Sequence, residues 1–364
     1  MTDLDGNGWV RCGLGHRHWG RFGAAGLLAY TGPAGAADAG RPAARPAAGP
    51  AGRPAAGTGK TSVLLQRRSL WGHHGGTWGL PGGARDSHET SVAAALREAA
   101  EECAVPPAAV RVQGIFHDDH IGWSYDTVLA IADGEFEVRP DSAETLEAVW
   151  VPVPELSSLN LHPGFAAYWD TLAAALAPLT IIVDAANVMG SRPDGWWRDR
   201  AGAAGRLSDQ VAVLAAAGLT GLPEWYGPAG PPELARWLPD IVLVVEGAAR
   251  PAARRRPAPA EPGSPAAAGQ GRLQVIAAPG SGDDTIARLA QQLAGWRLVV
   301  TADRALRSRC LAAGAAVAGP GWLLGLLRPS APDGDRVPEK ESSGPGAQAT
   351  GGARGGRGPR DTCG

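Results

Sequence analysis

Residues 82–105 read GGARDSHETSVAAALREAAEECAV, and the stretch LREAAEEC at 96–103 decides how the first half of the chain is understood. Asp86-x-x-Glu89 has the form of a capping box, which predicts a helix over 89–103. That helix carries Glu98, Glu101 and Glu102 at i, i+3 and i+4, on one face near its C-terminal end. Like charges at these spacings repel by roughly 0.2–0.5 kcal/mol per pair. Carboxylates in a last turn also meet the negative end of the helix dipole, at a cost of roughly 0.3–1 kcal/mol. Folding gains nothing from the arrangement, whereas a bound cation offsets both costs. Mg²⁺ suits it, because that ion takes one or two protein carboxylates together with waters and substrate phosphates.

Working outward, the stretch TWGLPGG at 77–83 leads into the helix. The whole segment resembles the Nudix box, G-x5-E-x7-R-E-U-x-E-E-x-G-U, with U a bulky aliphatic. Gly83, Glu89, Arg97, Glu98, Glu101, Glu102 and Val105 match it, while Ala99 stands at an aliphatic position and Ala104 at the late glycine. The resemblance implies an α+β fold of the Nudix α/β/α sandwich type. It also implies Mg²⁺-dependent attack of water on a diphosphate linkage of a nucleotide, with Mn²⁺ as an alternative ion. On the same grounds Glu98, Glu101 and Glu102 hold the metal, aided by the Gly82 carbonyl, and Glu98 is the base. Glu89 and Arg97 form an ion pair that fixes the loop, and Glu144 or Glu147 is a candidate further acid. Substrate class is narrowed by absences. His120 stands where members acting on ADP-ribose carry proline. Ile121, Gly122 and Trp123 stand where those acting on dinucleoside polyphosphates carry tyrosine, and the NADH-type SQPWPFP extension is missing. A nucleoside triphosphate pyrophosphohydrolase of the sanitising type remains.

Three stretches are too rich in Ala, Pro, Gly and Arg to pack: 31–58, 248–271 and 329–364. They divide the chain into an N-terminal flap at 1–19, a first domain at 20–178, a second at 179–328 and a tail. The first domain alternates antiparallel-looking strands (AAGLLAY, SVLLQRR, VRVQGIF, WSYDTVLAIA, AVWVPV) with helices at 89–103 and FAAYWDTLAAALA. In the second, short apolar strands such as LTIIVD, IVLVVE, LQVIAA and RLVVTAD alternate with helix-like segments, which predicts a parallel sheet covered on both faces.

In this second domain Asp184, Glu246, Asp283 with Asp284, and Asp303 each fall at the end of a strand or in the turn after it. The carboxyl ends of parallel strands share one edge, so these acids converge where ligands bind. Acidic clusters of this kind suit paired divalent ions and phosphodiester cleavage. VDAANV, GDDTI and TADR resemble the acidic motifs of the NYN branch of PIN-like nucleases. That resemblance implies that Asp184, Asp283 and Asp303 hold Mg²⁺ or Mn²⁺, that Asn187 orients substrate, and that RNA is a partner. Glu246 stands where aspartate is expected. The plainer account of such residues is helix capping. A rival reading keeps the second domain as a silent RNA- or protein-binding module, with the first trimming or sensing nucleotides.

The formal net charge of −2 gives no field directed at nucleic acid or membrane, and Lys60 and Lys340 are the only lysines. Cys12, Cys103, Cys310 and Cys363 form no disulfide framework, no signal peptide is evident, and no apolar run approaches the ~20 residues of a membrane span. A cytoplasmic protein is expected, of open oligomeric state. Cys12, His16 and His18 form C-x3-H-x-H, three zinc-ligand types without a fourth, so the stretch is read as a flap packing beside Trp9 and Trp19. FHDDH at 116–120 lines a nucleotide pocket or forms a polar turn. GTGKTS at 57–62 lacks the first glycine and the preceding strand of a phosphate-binding loop, and Arg254–Arg256 is read as a solvated charge run.

Overall fold

A computed structural model describes residues 5–32, 61–72, 74–223, 230–254 and 273–328. Most of the two inserts, the whole tail, Gly57–Lys60 and Arg255–Arg256 lie outside the described residues.

The chain begins with a hairpin of β1 (Trp9–Arg11) and β2 (Arg17–Trp19), followed by β3 (Ala24–Thr31) and β4 (Ser62–Arg68). Next come two short strands, β5 (Trp78–Gly79) and β6 (Gly82–Ala84), then α1 (Ser91–Cys103). The long hairpin β7 (Val110–Asp119) and β8 (Ser124–Ala132), then β9 (Thr145–Pro152) and α2 (Pro163–Ala174), complete the first region. The second opens with β10 (Leu179–Asp184), α3 (Ala185–Gly190) and α4 (Arg200–Ala217), then β11 (Arg236–Trp237) and β12 (Asp240–Val245). It continues through β13 (Leu273–Ala277), α5 (Gly282–Gln292), β14 (Trp296–Val300), α6 (Arg304–Ala312), β15 (Ala316–Ala318) and α7 (Pro320–Leu326).

β3 explains why the first sheet needs cover on both faces, since all eight of its residues are buried. Ala25, Leu27 and Ala29 point to one side and pack with Ala94, Ala95, Leu96 and Ala99 of α1. Leu28 and Tyr30 point to the other and pack with Phe165 and Leu172 of α2. This period-two division makes the α/β/α sandwich. Ala94, Ala95 and Ala99 are fully buried, so small side chains set α1 close to the sheet rather than loosening it. The sheet is mixed, because β3 pairs antiparallel with β4 and β6 but parallel with β8 along its whole length.

α1 starts later than the capping box predicts. Its N-cap is Thr90, whose hydroxyl accepts from Ala93 N at 3.2 Å. Asp86 instead accepts from Gly6 N at 2.7 Å, and Glu89 accepts from Asp86 N at 3.2 Å, so both residues belong to the loop. At the other end Ala104 is held at φ 55°, ψ 33°. An L-residue there costs roughly 1–2 kcal/mol that glycine does not incur. Ala104→Gly is therefore expected to raise stability by about 1 kcal/mol in a urea titration. A decrease would mean that the turn is held by something other than backbone conformation.

The second region carries a five-stranded sheet ordered β13-β12-β10-β14-β15, in which every pair is parallel. The sheet reverses direction of growth between β10 and β14, which places a topological switch point at their carboxyl ends. The two regions are not separated as beads. β11 pairs with β7 through Arg236↔Ile115 and Trp237↔Gly114, and Arg111 bridges to Asp240 at 3.0 Å. Only glycine fits at position 114, where a Cβ would meet Leu234 Cδ1 at 2.7 Å and the Arg236 carbonyl oxygen at 2.9 Å. Among the described residues, no helix is long and apolar enough to cross a membrane.

Candidate active site

α1 lies beside β6, and this contact assembles the first constellation. Arg97 is its hub. Its Nε and Nη2 reach the two oxygens of Glu89 at 2.8 and 2.9 Å, and Nη2 also donates to the Ala84 carbonyl at 3.0 Å. This bidentate pair ties the loop before α1 to the helix. The paired guanidinium is the main reason the Glu89 carboxyl is held below its usual range. Arg97 Nη1 reaches Glu98 Oε1 at 2.8 Å and Glu101 Oε2 at 3.3 Å.

The three glutamates of the face differ in environment. Glu102 is buried, and one of its oxygens accepts from Gly82 N and from Gln66 Nε2, each at 2.8 Å. Burial, reinforced by the charge of Glu98, pushes its carboxyl up to about 8 despite those two bonds. Glu98 is also raised, first by desolvation, with Glu101 and Glu144 adding like charge against the pull of Arg97. Glu101 is more than half exposed. Gly82 is required by this packing, and Gly83 lets the Glu98 carboxylate approach the turn. A Cβ on Gly83 would stand 2.6 Å from a Glu98 oxygen, and one on Gly82 would stand 2.5 Å from the Ala25 carbonyl oxygen.

Of the two further acids considered from sequence, Glu144 contributes to the field at Glu98, whereas Glu147 pairs with Arg67 at 2.9 Å on a half-exposed surface. Gln66 escaped the sequence reading. It is buried, donates to Glu102 and accepts from the Thr145 hydroxyl. The signal was a lone amide at an inward position of the apolar run SVLLQRR. FHDDH divides by strand alternation. His117 and Asp119 line a cleft of about 410 Å³ with Arg21, Arg85 and Trp123, while Asp118 turns away to His120 and Tyr168.

This region matches the NUDIX domain family over residues 54–173. It is also 42% identical over 183 residues to a Mycobacterium tuberculosis protein named "Putative 8-oxo-dGTP diphosphatase 3", covering 49% of this chain and 73% of that protein. The chain belongs to the Nudix family. A second Nudix relative, the "Nucleoside triphosphate pyrophosphatase/Nudix hydrolase fusion protein" of Bifidobacterium longum, is 35% identical over 178 residues, which is 48% of this chain and 32% of its own. Among solved structures, the Nudix hydrolase RenU of M. smegmatis is 39% identical, covering 46% of this chain and 93% of its own, with a TM-score of 0.37.

Outside the Nudix region, the acids of the parallel sheet gather at the switch point. Asp184, at the end of β10, is buried and accepts from Asn187 N at 3.0 Å, Asn187 Nδ2 at 2.7 Å and Thr301 Oγ1 at 2.9 Å. Asn187 Oδ1 in turn accepts from Ala302 N at 3.3 Å, so it links β10 to the β14 turn. Asp283 is raised by desolvation and then by Asp184, Asp303 and Glu246, which brings all four acids within electrostatic reach. Capping accounts for two of them, since Asp184 and Asp303 are the N-caps of α3 and α6. It does not account for Asp283, because Ser281 is the cap of α5. Glu246 is engaged by Gly282 N at 2.7 Å. Asp284 stands apart, exposed and paired with Arg309 at 2.8 Å. Thr301, fully buried against Asp184, was not singled out in the sequence.

Proposed function

We propose that the Nudix region is a Mg²⁺-dependent nucleoside triphosphate pyrophosphohydrolase of the sanitising type. One observation carries this reading: Glu98 and Glu102 are desolvated carboxylates on one helix face, both held above their usual range, with Glu101 and Glu144 adding like charge at Glu98 and Glu98 adding it at Glu102. A dication fits this donor set, because Arg97, shared with Glu89, and Arg68 offset the repulsion and desolvation only in part. Glu98, Glu101 and Glu102 would hold it, together with the Gly82 carbonyl, and Mn²⁺ would substitute. Once bound, such an ion neutralises phosphate oxygens and lowers the pKa of a coordinated water.

The residues around the ion then have separate tasks. Arg97, clamped by Glu89 and the Ala84 carbonyl, holds Glu98 in place by its remaining Nη1 donor. Glu98 accepts the proton from the attacking water. Gln66 and Gly82 N fix one oxygen of Glu102 and leave its other oxygen for the ion. Arg21 and Arg85, which line the cleft at the start of α1, supply positive charge for a nucleotide. The name of the mycobacterial relative favours an oxidised purine nucleotide. The test is product analysis with 8-oxo-dGTP, ordinary (d)NTPs, ADP-ribose and dinucleoside polyphosphates in the presence of Mg²⁺. Monophosphate and pyrophosphate from a triphosphate are expected. Turnover of ADP-ribose alone, or none across the panel, would sink the reading.

The acidic switch point supports a second activity in the same chain. We infer that the parallel-sheet region is a NYN-type PIN-like ribonuclease in which Asp184, Asp283 and Asp303 hold Mg²⁺ or Mn²⁺ and Asn187 orients substrate. Support comes from Asp283, which feels three other acids and is not spent on capping. Glu246 keeps its carboxylate at the site while bonded to Gly282 N. Mn²⁺ is expected to raise the Tm of the metal-free protein, and Asp283→Asn to remove part of that rise in both the wild-type and Glu98→Gln backgrounds. An unchanged shift would leave the region as an RNA- or protein-binding module.

A further inference from the structure

We propose that the N-terminal hairpin carries a structural zinc site made by Cys12, His16, His18 and His120. One candidate ligand atom from each of these four residues lies within 4.8 Å of the other three. The sequence presents C-x3-H-x-H without a fourth ligand, and the fold brings the fourth from more than one hundred residues away. Cys12 follows β1, and its N–H donates to the His16 carbonyl at 3.0 Å across the turn. His18 lies on β2 opposite Val10. His120 opens the turn between β7 and β8, which reaches the hairpin turn through a bond from Gly13 N to the Ile121 carbonyl at 2.7 Å. A Cβ at Gly13 would meet Ile121 Cγ2 at 2.7 Å, so the close approach is built into the sequence.

The arrangement points to a metal rather than to ring packing alone. His120 Nε2 lies 3.0 Å from Asp118 Oδ2, while its Nδ1 is buried without a hydrogen-bond partner. With the proton on Nε2, donated to Asp118, Nδ1 presents a lone pair to the cluster. Asp118 is held in turn by the Tyr168 hydroxyl at 2.6 Å. A carboxylate behind a histidine is the usual outer support of a metal ligand. One thiolate and three imidazoles supply four nitrogen and sulfur donors of the kinds that bind tetrahedral Zn²⁺, and they are too soft for Mg²⁺. Zn–N of about 2.0–2.1 Å and Zn–S of about 2.3 Å put tetrahedral ligands about 3.3–3.6 Å apart, so the cluster tightens by roughly 1 Å on binding.

The metal would reinforce the few contacts that hold the hairpin to the domain. β1 and β2 have three residues each, and an isolated two-stranded hairpin is marginal in water. The metal fastens it to the β7–β8 turn and fixes His18, which stacks on Trp123 with centroids 3.9 Å apart. Trp123 lines the cleft that holds Arg21 and Arg85, so the site stabilises one wall of that cleft.

The experiment uses the full chain in the Glu98→Gln background, stripped with a chelator and titrated with Co²⁺ and then Zn²⁺. One equivalent of Co²⁺ should give tetrahedral d–d bands with a thiolate charge-transfer band, both removed by Zn²⁺. Cys12→Ser should abolish the charge-transfer band. Asp118→Asn should keep the stoichiometry but weaken binding about 10–100-fold. If the Cys12-containing chain gives only octahedral Co²⁺ without a thiolate band, the site does not exist. That measurement stands even if Cys12→Ser fails to fold. A band that persists in a folded Cys12→Ser chain overturns the assignment equally.

Discussion

Glu98→Gln is expected to lower Mg²⁺-dependent pyrophosphate release by about 10²–10⁴-fold, the range usual for losing a positioned base. The amide keeps the shape of the carboxylate and can still accept from Arg97 Nη1, which lies 2.8 Å from Glu98 Oε1. What it loses is the charge. The variant can neither take a proton from water nor contribute a full negative charge to a cation. At saturating Mg²⁺ the lost base acts in the transition state, so kcat should fall with kcat/KM and KM should move less, while the lost ligand charge should raise the Mg²⁺ concentration needed. Stability should not fall in metal-free protein, since the substitution removes a desolvated charge. The comparison is Glu147→Gln, which breaks only the half-exposed pair with Arg67 and should leave turnover near wild type. Full activity in Glu98→Gln would move the base elsewhere, with Glu144 the next acid to replace.

What could be read from the sequence divides along physical lines. Long apolar strands were legible because burial imposes their pattern: 62–68 and 179–184 have the boundaries of the observed β4 and β10. The face of α1 was legible because the three glutamates oppose ordinary helix chemistry. The helix start was not, because Asp86 and Glu89 fit a local capping rule yet are drawn into tertiary bonds with Gly6 and Arg97. β11 and the union of the two regions were not legible, since two residues pairing with β7 leave no periodic trace. The same holds for the support of each site. Gln66 behind Glu102, Thr301 behind Asp184 and His120 beside Cys12 are single residues brought in from distant strands or turns. Chemistry concentrated within one helix turn can be read in order along a chain; chemistry assembled across a sheet cannot.

Glu102 gives the metal face a pH signature that can be measured without substrate. Its carboxyl is pushed up to about 8 by burial, whereas in the unfolded chain it titrates near the ordinary glutamate value of 4.5. Between those values the folded protein holds a proton that the unfolded chain has released. The slope of stability with pH is therefore negative, and metal-free protein should lose stability as pH rises from about 5 to 8. At about 1.4 kcal/mol per unit, softened by water entry and relaxation, the loss attributable to this residue is on the order of 3 kcal/mol. Glu102→Gln should flatten the slope and be more stable than wild type at pH 8, with little difference at pH 5. Excess Mg²⁺ should flatten the wild-type slope too, because the ion replaces the proton, and Mg²⁺ affinity should rise with pH across the same window. Denaturant titrations at pH 5, 6.5 and 8, with and without Mg²⁺, contain the whole test. Parallel slopes for wild type and Glu102→Gln would show that this carboxylate is already ionised and compensated in the free protein, and the case for a cation at the glutamate face would lose its main support.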